Sequence, residues 1–270
     1  MQMLLHSRLL IVVIATMMNA CSPLKDQETH ITGPTMGTTY NVKFVSVDDV
    51  DTEKLAQQIE QSLIDINLLM STYIQDSELS KFNRWSSIEP FPMSAQTLDV
   101  LNEAKRLGDM SEGLLDVTVG PLVNLWGFGP QSRPVKIPTK ALINVTRQLV
   151  GINKLKVGAS WASKTVPALY VDLSTIAKGY AVDQLAELLG THEITNYLVE
   201  IGGEMRLSGI KASGTPWKIA IEKPETDQRS VQKIISIGTN AVATSGDYRN
   251  YYETDGVRYS HLINPNTGYP

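Results

Sequence analysis

Asp172, Ser174, Thr175 and Lys178 sit close together where an apolar run changes into a helical pattern. Leu169 and Val171 read as strand, and Asp172 ends the run. Ser174 or Thr175 is placed to cap a helix. Ile176, Tyr180, Ala181, Leu185, Leu188 and Leu189 then recur at helical spacing until Gly190, the expected stop. A strand turning sharply into a helix aims free N–H groups and the positive end of the helix dipole into the turn, a ready place for phosphate. Here the turn carries a carboxylate, Asp172, and a cation, Lys178, one turn further in. A carboxylate beside a phosphate makes chemical sense mainly with a divalent cation between them. An amphipathic helix that begins with an acid gives the same pattern, and both readings stand at this point. Of four histidines, only His261 falls inside a motif, Ser260–Pro270. Its imidazole can accept a proton near neutral pH, although a lone histidine is more often structural than catalytic.

The elements that must hold these groups follow from periodicity. Thr35–Tyr40 opens the folded part and leads into an alternating strand over Asn41–Val47. Asp51–Asn67 carries Leu55, Ile59, Leu63, Ile64 and Ile66 at helical spacing. Gln96–Met110 is a second amphipathic helix, broken near Gly113, and Lys140–Leu149 a third, short one. Gly120-Pro121 and Trp126–Gly129 read as turn and packing chemistry. Gly151–Val157 begins a strand. Tyr197–Ile201 alternates as another and runs into Gly202-Gly203, where the backbone can approach a neighbour closely. Trp217–Glu222, Val231–Ile237 and Ala241–Thr244 add further strands. Strands outnumber helices and mix with them irregularly, which predicts an α+β (mixed α/β) fold without a doubly wound sheet.

At 270 residues, 42% hydrophobic, the chain can bury a sizeable core. The net charge of -4 and the lack of any basic stripe argue against nucleic acid. An acidic protein that holds a polyanion needs local cations or a metal, which favours the metal reading of the central turn. Arg8, the apolar run Leu9–Met18 and the small or polar residues before Cys21 read as an export signal over residues 1–20. Cys21, the sole cysteine, excludes an internal disulfide and is the expected lipidation site, with palmitate-type acyl chains. Met18 and Asn19 depart from the usual lipobox. Residues 21–34 are then expected to be a polar tether.

The run VDLSTIAKGYAVDQLAELL resembles the signature of the ApbE family, flavin transferases that move FMN from FAD to a threonine of a target protein. Further blocks agree in the same order: Thr35–Tyr40, DSELSKFN at 76–83, Leu114–Gly129, EIGGE at 200–204, and Ser260–Pro270. The resemblance implies one domain over residues 35–270, a Mg²⁺ cofactor, FAD as substrate and AMP as product. It places flavin or dinucleotide contacts at Met36, Tyr73, Leu114, Leu115, Asp116, Asp172, Lys178 and Ile263, a metal ligand at Thr175, and the catalytic base at His261. Leu115 stands where the family usually has an aromatic residue, and Asn264-Pro265-Asn266 where it has Asp-Pro-Arg. The implied partner is a flavoprotein with an acceptor threonine, a membrane respiratory subunit. The implied location is the bacterial cell envelope, lipid-anchored and facing the periplasm, the inner membrane before the outer. A Mg²⁺-dependent FAD pyrophosphatase and a non-catalytic flavin-binding lipoprotein would use the same pocket. Because the family continues past TGYP through a strand and a helix bearing metal-binding Asp and Thr residues, a chain ending at Pro270 is expected to be C-terminally incomplete, with weak FAD binding and little AMP release.

Overall fold

The computed structural model describes residues 27–46, 50–130, 136–225 and 230–270. The export signal and Cys21 lie outside the described residues. In chain order the elements are β1 (Gln27–Thr35), β2 (Thr38–Ser46), α1 (Thr52–Met70), α2 (Glu78–Arg84), β3 (Phe91–Pro92), α3 (Ala95–Met110), α4 (Gly120–Leu125) and α5 (Lys140–Arg147). There follow a 3₁₀ turn (Ile152–Lys154), β4 (Leu155–Val157), β5 (Trp161–Lys164), α6 (Ala177–Thr191), β6 (Asn196–Ile201), β7 (Glu204–Ser208), β8 (Ile219–Glu222), β9 (Val231–Ile235), β10 (Asn240–Ala243), β11 (Tyr251–Thr254) and β12 (Val257–Ser260).

The central sheet has five strands in the order β1-β2-β6-β7-β10, every neighbouring pair antiparallel. A three-stranded sheet, β3-β5-β4, and two ribbons, β8-β9 and β11-β12, surround it. The fold is the expected α+β one. Alternation puts Tyr40, Val42 and Phe44 of β2 and Tyr197, Val199 and Ile201 of β6 on one face, all buried. Against them pack Leu55, Ile59 and Leu63 of α1 and Ala181, Leu185 and Leu189 of α6. Full burial of each large aliphatic side chain contributes about 1.5–3 kcal/mol. The opposite face is covered by Trp217 and Ile219 over Val45 and Leu207. A separate cluster gathers Leu122, Trp126 and Ile143, with Tyr252, Tyr259 and Ile263 against it.

Local chemistry explains most boundaries. Asp51, Ser77, Ser94 and Thr139 each cap a helix by accepting the N–H three residues on, at Lys54, Ser80, Thr97 and Leu142. Each such cap stabilises its helix by about 1 kcal/mol. Pro121 falls in the first turn of α4, where its missing N–H has no cost, so Gly120-Pro121 begins a helix and not merely a turn.

Several expectations are corrected. The tether was expected to reach residue 34, but Gln27–Thr35 is a full strand, in register with β2 from Gln27↔Ser46 to Thr35↔Thr38. Its residues are polar because most of them are exposed on an edge strand, and only Ile31 and Thr35 turn inward to burial. Leu169–Val171 is not a strand: it is buried but pairs with no neighbouring strand. Neither Ser174 nor Thr175 caps α6. Asp172 Oδ1 accepts the Ser174 N–H at 2.9 Å, closing a tight Asx turn that delays the helix until Ala177. Gly190 does not stop α6 either. Glu193 adopts positive φ (58°), and the N–H groups of Glu193 and Ile194 bond back to Gly190 O (3.0 Å) and Leu189 O (3.1 Å). That Schellman-type ending satisfies the last carbonyls without glycine.

Candidate active site

Asp172 is held through the peptide that precedes it. Its N–H donates to Val117 O at 2.7 Å, and the preceding Val171 is gripped by the Asn83 side chain. This brings residues 114–117 beside the Asp172 turn. The Asp116 carboxylate accepts from Thr118 N (2.8 Å) and Thr118 Oγ1 (2.6 Å) through one oxygen and from Ile152 N (3.0 Å) through the other. Asp116 therefore organises its loop with its carboxylate, and what it leaves for a ligand is backbone. Gly120 packs on the same corner: a Cβ there would lie 2.3 Å from Tyr170 Cδ1 and 3.5 Å from Asp172 Cβ. Only glycine allows that approach.

The charge of Asp172 reaches two phenols. Burial pushes Tyr73 and Tyr170 up from the ordinary tyrosine range, and the Asp172 carboxylate adds to both. Tyr73 Oη donates to Phe128 O at 3.4 Å, and the Phe128 ring meets the His261 ring edge-on at 6.4 Å. Phe128 also stacks on Tyr252, which stacks on Tyr259. His261 is thus connected through Phe128 to Tyr73, whose phenol in turn senses the Asp172 charge. Its Nδ1 lies 3.2 Å from Asn250 O. A carbonyl can only accept, so Nδ1 donates, which leaves Nε2 as the ring nitrogen that can face a reacting group.

The segment after His261 is pinned by its own turn. Asn264 Oδ1 accepts from Asn266 N (2.9 Å) and Thr267 N (3.2 Å). An asparagine supplies that acceptor as an aspartate would. Trp126, fully buried, donates Nε1–H to Gly268 O at 2.8 Å, and Arg147 holds Asn266 O at 2.6 Å. Ile263 packs against the Trp126 cluster.

Lys178 belongs to a second group, at one end of the central sheet. Its Nζ pairs with Glu204 Oε1 at 2.9 Å, and its stem passes Gly202, whose absent Cβ would lie 3.5 Å from Lys178 Cδ and 2.8 Å from Thr38 Cγ2. The β6–β7 turn, Gly202-Gly203, and the β1–β2 turn, Met36-Gly37, close the same end, with positive φ at all four positions. For Met36 (φ 48°) this conformation costs about 1 kcal/mol, and asparagine or glycine would relieve it. Met36→Asn is therefore expected to raise the thermal midpoint by a few degrees while weakening flavin binding. A fluorescence titration beside a melting curve reads both, and unchanged flavin affinity would remove Met36 from the site. A cavity of about 420 Å³ lies between α3, α6, β7 and β10, lined by Ile176, Tyr180, Asp183, Glu204, Met205 and Val242. It shares Glu204 with the Lys178 pair.

Among the described residues no three of His, Cys, Asp and Glu converge as a metal cage. A Mg²⁺ site of the phosphate-bridging kind needs only one or two protein carboxylates, with water and phosphate supplying the rest. Asp172 fits that pattern: Ser174 occupies Oδ1, Oδ2 has no hydrogen-bond partner among the described residues, and Thr175 is exposed beside it.

The sequence profile of the ApbE family matches residues 36–270. The chain belongs to the ApbE family. A relative from Vibrio cholerae serotype O1, named FAD:protein FMN transferase, is 56% identical over 245 residues, covering 90% of this chain and 73% of that protein. One of the same name from Haemophilus influenzae is 46% identical over 274 residues, covering 98% and 79%. Among solved structures, the flavin transferase ApbE from Vibrio cholerae superposes with a TM-score of 0.84 at 55% identity, covering 91% of this chain and 78% of that one. The apo flavinyl transferase ApbE of Pseudomonas stutzeri gives 0.81 at 40% identity, covering 91% and 76%.

The ApbE blocks thus come together as two adjoining groups joined by the start of α6. Tyr73, Leu114–Asp116, Asp172 and His261 form one, with Ile263 just behind it, and Lys178 and Met36 the other. Three participants escaped the sequence reading. Tyr170 looked like part of a buried strand. Glu204, within the EIGGE block, gave no sign that it pairs with Lys178. Asn83 ends the DSELSKFN block, and only its poor fit to a helix interior marked it.

Proposed function

We propose that this chain transfers FMN from FAD to a threonine hydroxyl of a partner flavoprotein, with AMP as the second product. One observation carries the reading: the Tyr73–Phe128–His261 geometry beside Asp172 occurs in a chain 56% identical to a relative named FAD:protein FMN transferase. The acceptor Oγ attacks the phosphorus on the FMN side of the pyrophosphate. A new O–P bond forms, the P–O bond to AMP breaks, and its electron pair leaves with AMP. The hydroxyl proton passes to His261 Nε2, whose tautomer the Asn250 carbonyl fixes. Mg²⁺, when bound, offsets charge on the phosphate oxygens and on the leaving AMP. Asp172 and Thr175 would hold it together with phosphate and water. Lys178 would exchange part of its contact with Glu204 for the dinucleotide. Met36, Tyr73, the backbone of Leu114–Asp116 and Ile263 would line the flavin.

Incubation with FAD and Mg²⁺, with and without a threonine-bearing flavoprotein, tests this. Covalent flavin fluorescence on the target is the expected result. Free FMN and AMP formed equally without the target would mean hydrolysis instead, and intact FAD in both arms would defeat the proposal. The partner is a membrane respiratory subunit, reached from a Cys21 lipid anchor on the periplasmic side of the cell envelope, at the inner membrane. Cys21→Ser is then expected to give a soluble periplasmic protein of unchanged specific activity. A parent chain that fractionates as soluble and takes up no acyl label would refute the anchor.

A further inference from the structure

The Asp172 turn is located by a side chain with no part in the chemistry proposed so far. Leu169, Val171 and Leu173 are all fully buried, yet their segment lies in no sheet. Buried backbone groups without partners are costly, so something must replace the missing strand. Asn83, near the end of α2, does so at Val171. Its Nδ2 donates to Val171 O at 2.8 Å, and its Oδ1 accepts the Val171 N–H at 2.8 Å. A side-chain amide presents one donor and one acceptor in the spacing that a neighbouring strand residue would offer.

Asn83 is itself anchored. Lys164, 1% exposed, donates from Nζ to Asn83 O at 2.9 Å and to Trp85 O at 3.0 Å, tying down the last carbonyls of α2. With Val171 gripped by Asn83 and the Asp172 N–H taken by Val117 O at 2.7 Å, the two peptide planes that flank the Val171 Cα are tied to different parts of the core, the second of them at both its C=O and its N–H. The second plane fixes where the Asp172 Cα lies, and the Asx turn to the Ser174 N–H limits the rotation that remains, so together they set the place the carboxylate can occupy. Asparagine is a poor helix former, and an apolar residue here would leave both Val171 groups unpaired.

We infer that Asn83 is a positioning residue for Asp172, acting through the two hydrogen bonds to Val171, in the same dinucleotide corner that the proposed transfer uses. The inference rests on that reading of Asp172, and the test separates the two. Four chains are compared: the parent, Asn83→Ala, Asp172→Asn and the double variant. FAD affinity is read by flavin fluorescence with Mg²⁺ present, where Asp172 is expected to contribute, and AMP release under the same conditions.

Loss of a group that orients a ligand residue typically costs 10–100-fold. Asn83→Ala is therefore expected to weaken FAD binding or turnover about tenfold in the parent. In the Asp172→Asn background it should change them less than about twofold, because two residues acting through one group are not additive. The same loss in both backgrounds would overturn the inference, since Asn83 would then matter for stability alone. So would no loss in either. Asp172→Asn behaving as the parent would refute the assignment of Asp172 itself, and any loss from Asn83→Ala would then run through another group and overturn the inference too. Should Asn83→Ala not fold, Asn83→Gln keeps both hydrogen-bonding groups but displaces them by one methylene, and the same four-way pattern is required of it.

Discussion

His261→Ala is expected to lower FMN transfer by about 10²–10⁴-fold, the usual contribution of a positioned general base. The fold should survive, because His261 is only half-buried and its backbone N–H keeps its bond to Asn250 O at 3.1 Å. The signature that separates a base from a binding residue is a loss confined to turnover, with FAD affinity kept. FAD affinity should change little, since the group acts on the acceptor and not on the dinucleotide. An alanine variant whose transfer rate stays within about tenfold of the parent's, or whose loss is all in FAD affinity, would remove His261 from the base role.

Asp172→Asn is expected to reduce Mg²⁺-dependent turnover by about 10²-fold, the scale of losing one preorganised electrostatic group at a developing charge. The substitution removes a charge from a turn, not volume from the core. The asparagine oxygen can still accept the Ser174 N–H, so the thermal midpoint should hold. The two phenols provide an independent check. Asp172 helps to hold the Tyr73 and Tyr170 ionisations above the ordinary range, so removing its charge lowers both, in the direction of easier ionisation. Ultraviolet titration of the variant against the parent measures that shift. Unchanged turnover across a Mg²⁺ titration would count decisively against the proposed metal–phosphate corner.

Sequence and structure contributed different things. The blocks around Asp172, His261 and Gly202-Gly203, their order and the α+β mixture were legible in the chain, because each depends on local chemistry. Period-2 alternation located β2 and β6, period-3.6 apolar spacing located α1 and α3, and Gly202-Gly203 marked a place where the backbone approaches a neighbour closely. Where local rules failed, distant residues had taken over a local job. Leu169–Val171 reads as strand because it is apolar and buried, but its hydrogen-bond partner is the side chain of Asn83, far away in sequence. Gln27–Pro34 reads as tether because it is polar, but pairing along the full length of β2 makes it the edge of the sheet. Glu193 ends α6 in a conformation usually given to glycine, because Ile194 beyond it is buried in the core. Sequence alone determined which residue types this protein offers for the proposed phosphate and hydroxyl chemistry. Only the tertiary structure decided that Phe128 connects His261 to Tyr73, that Lys178 is neutralised by Glu204, and that Asn83 holds the turn in place. Those relations are set by contacts between residues far apart in the chain, and no local periodicity records them.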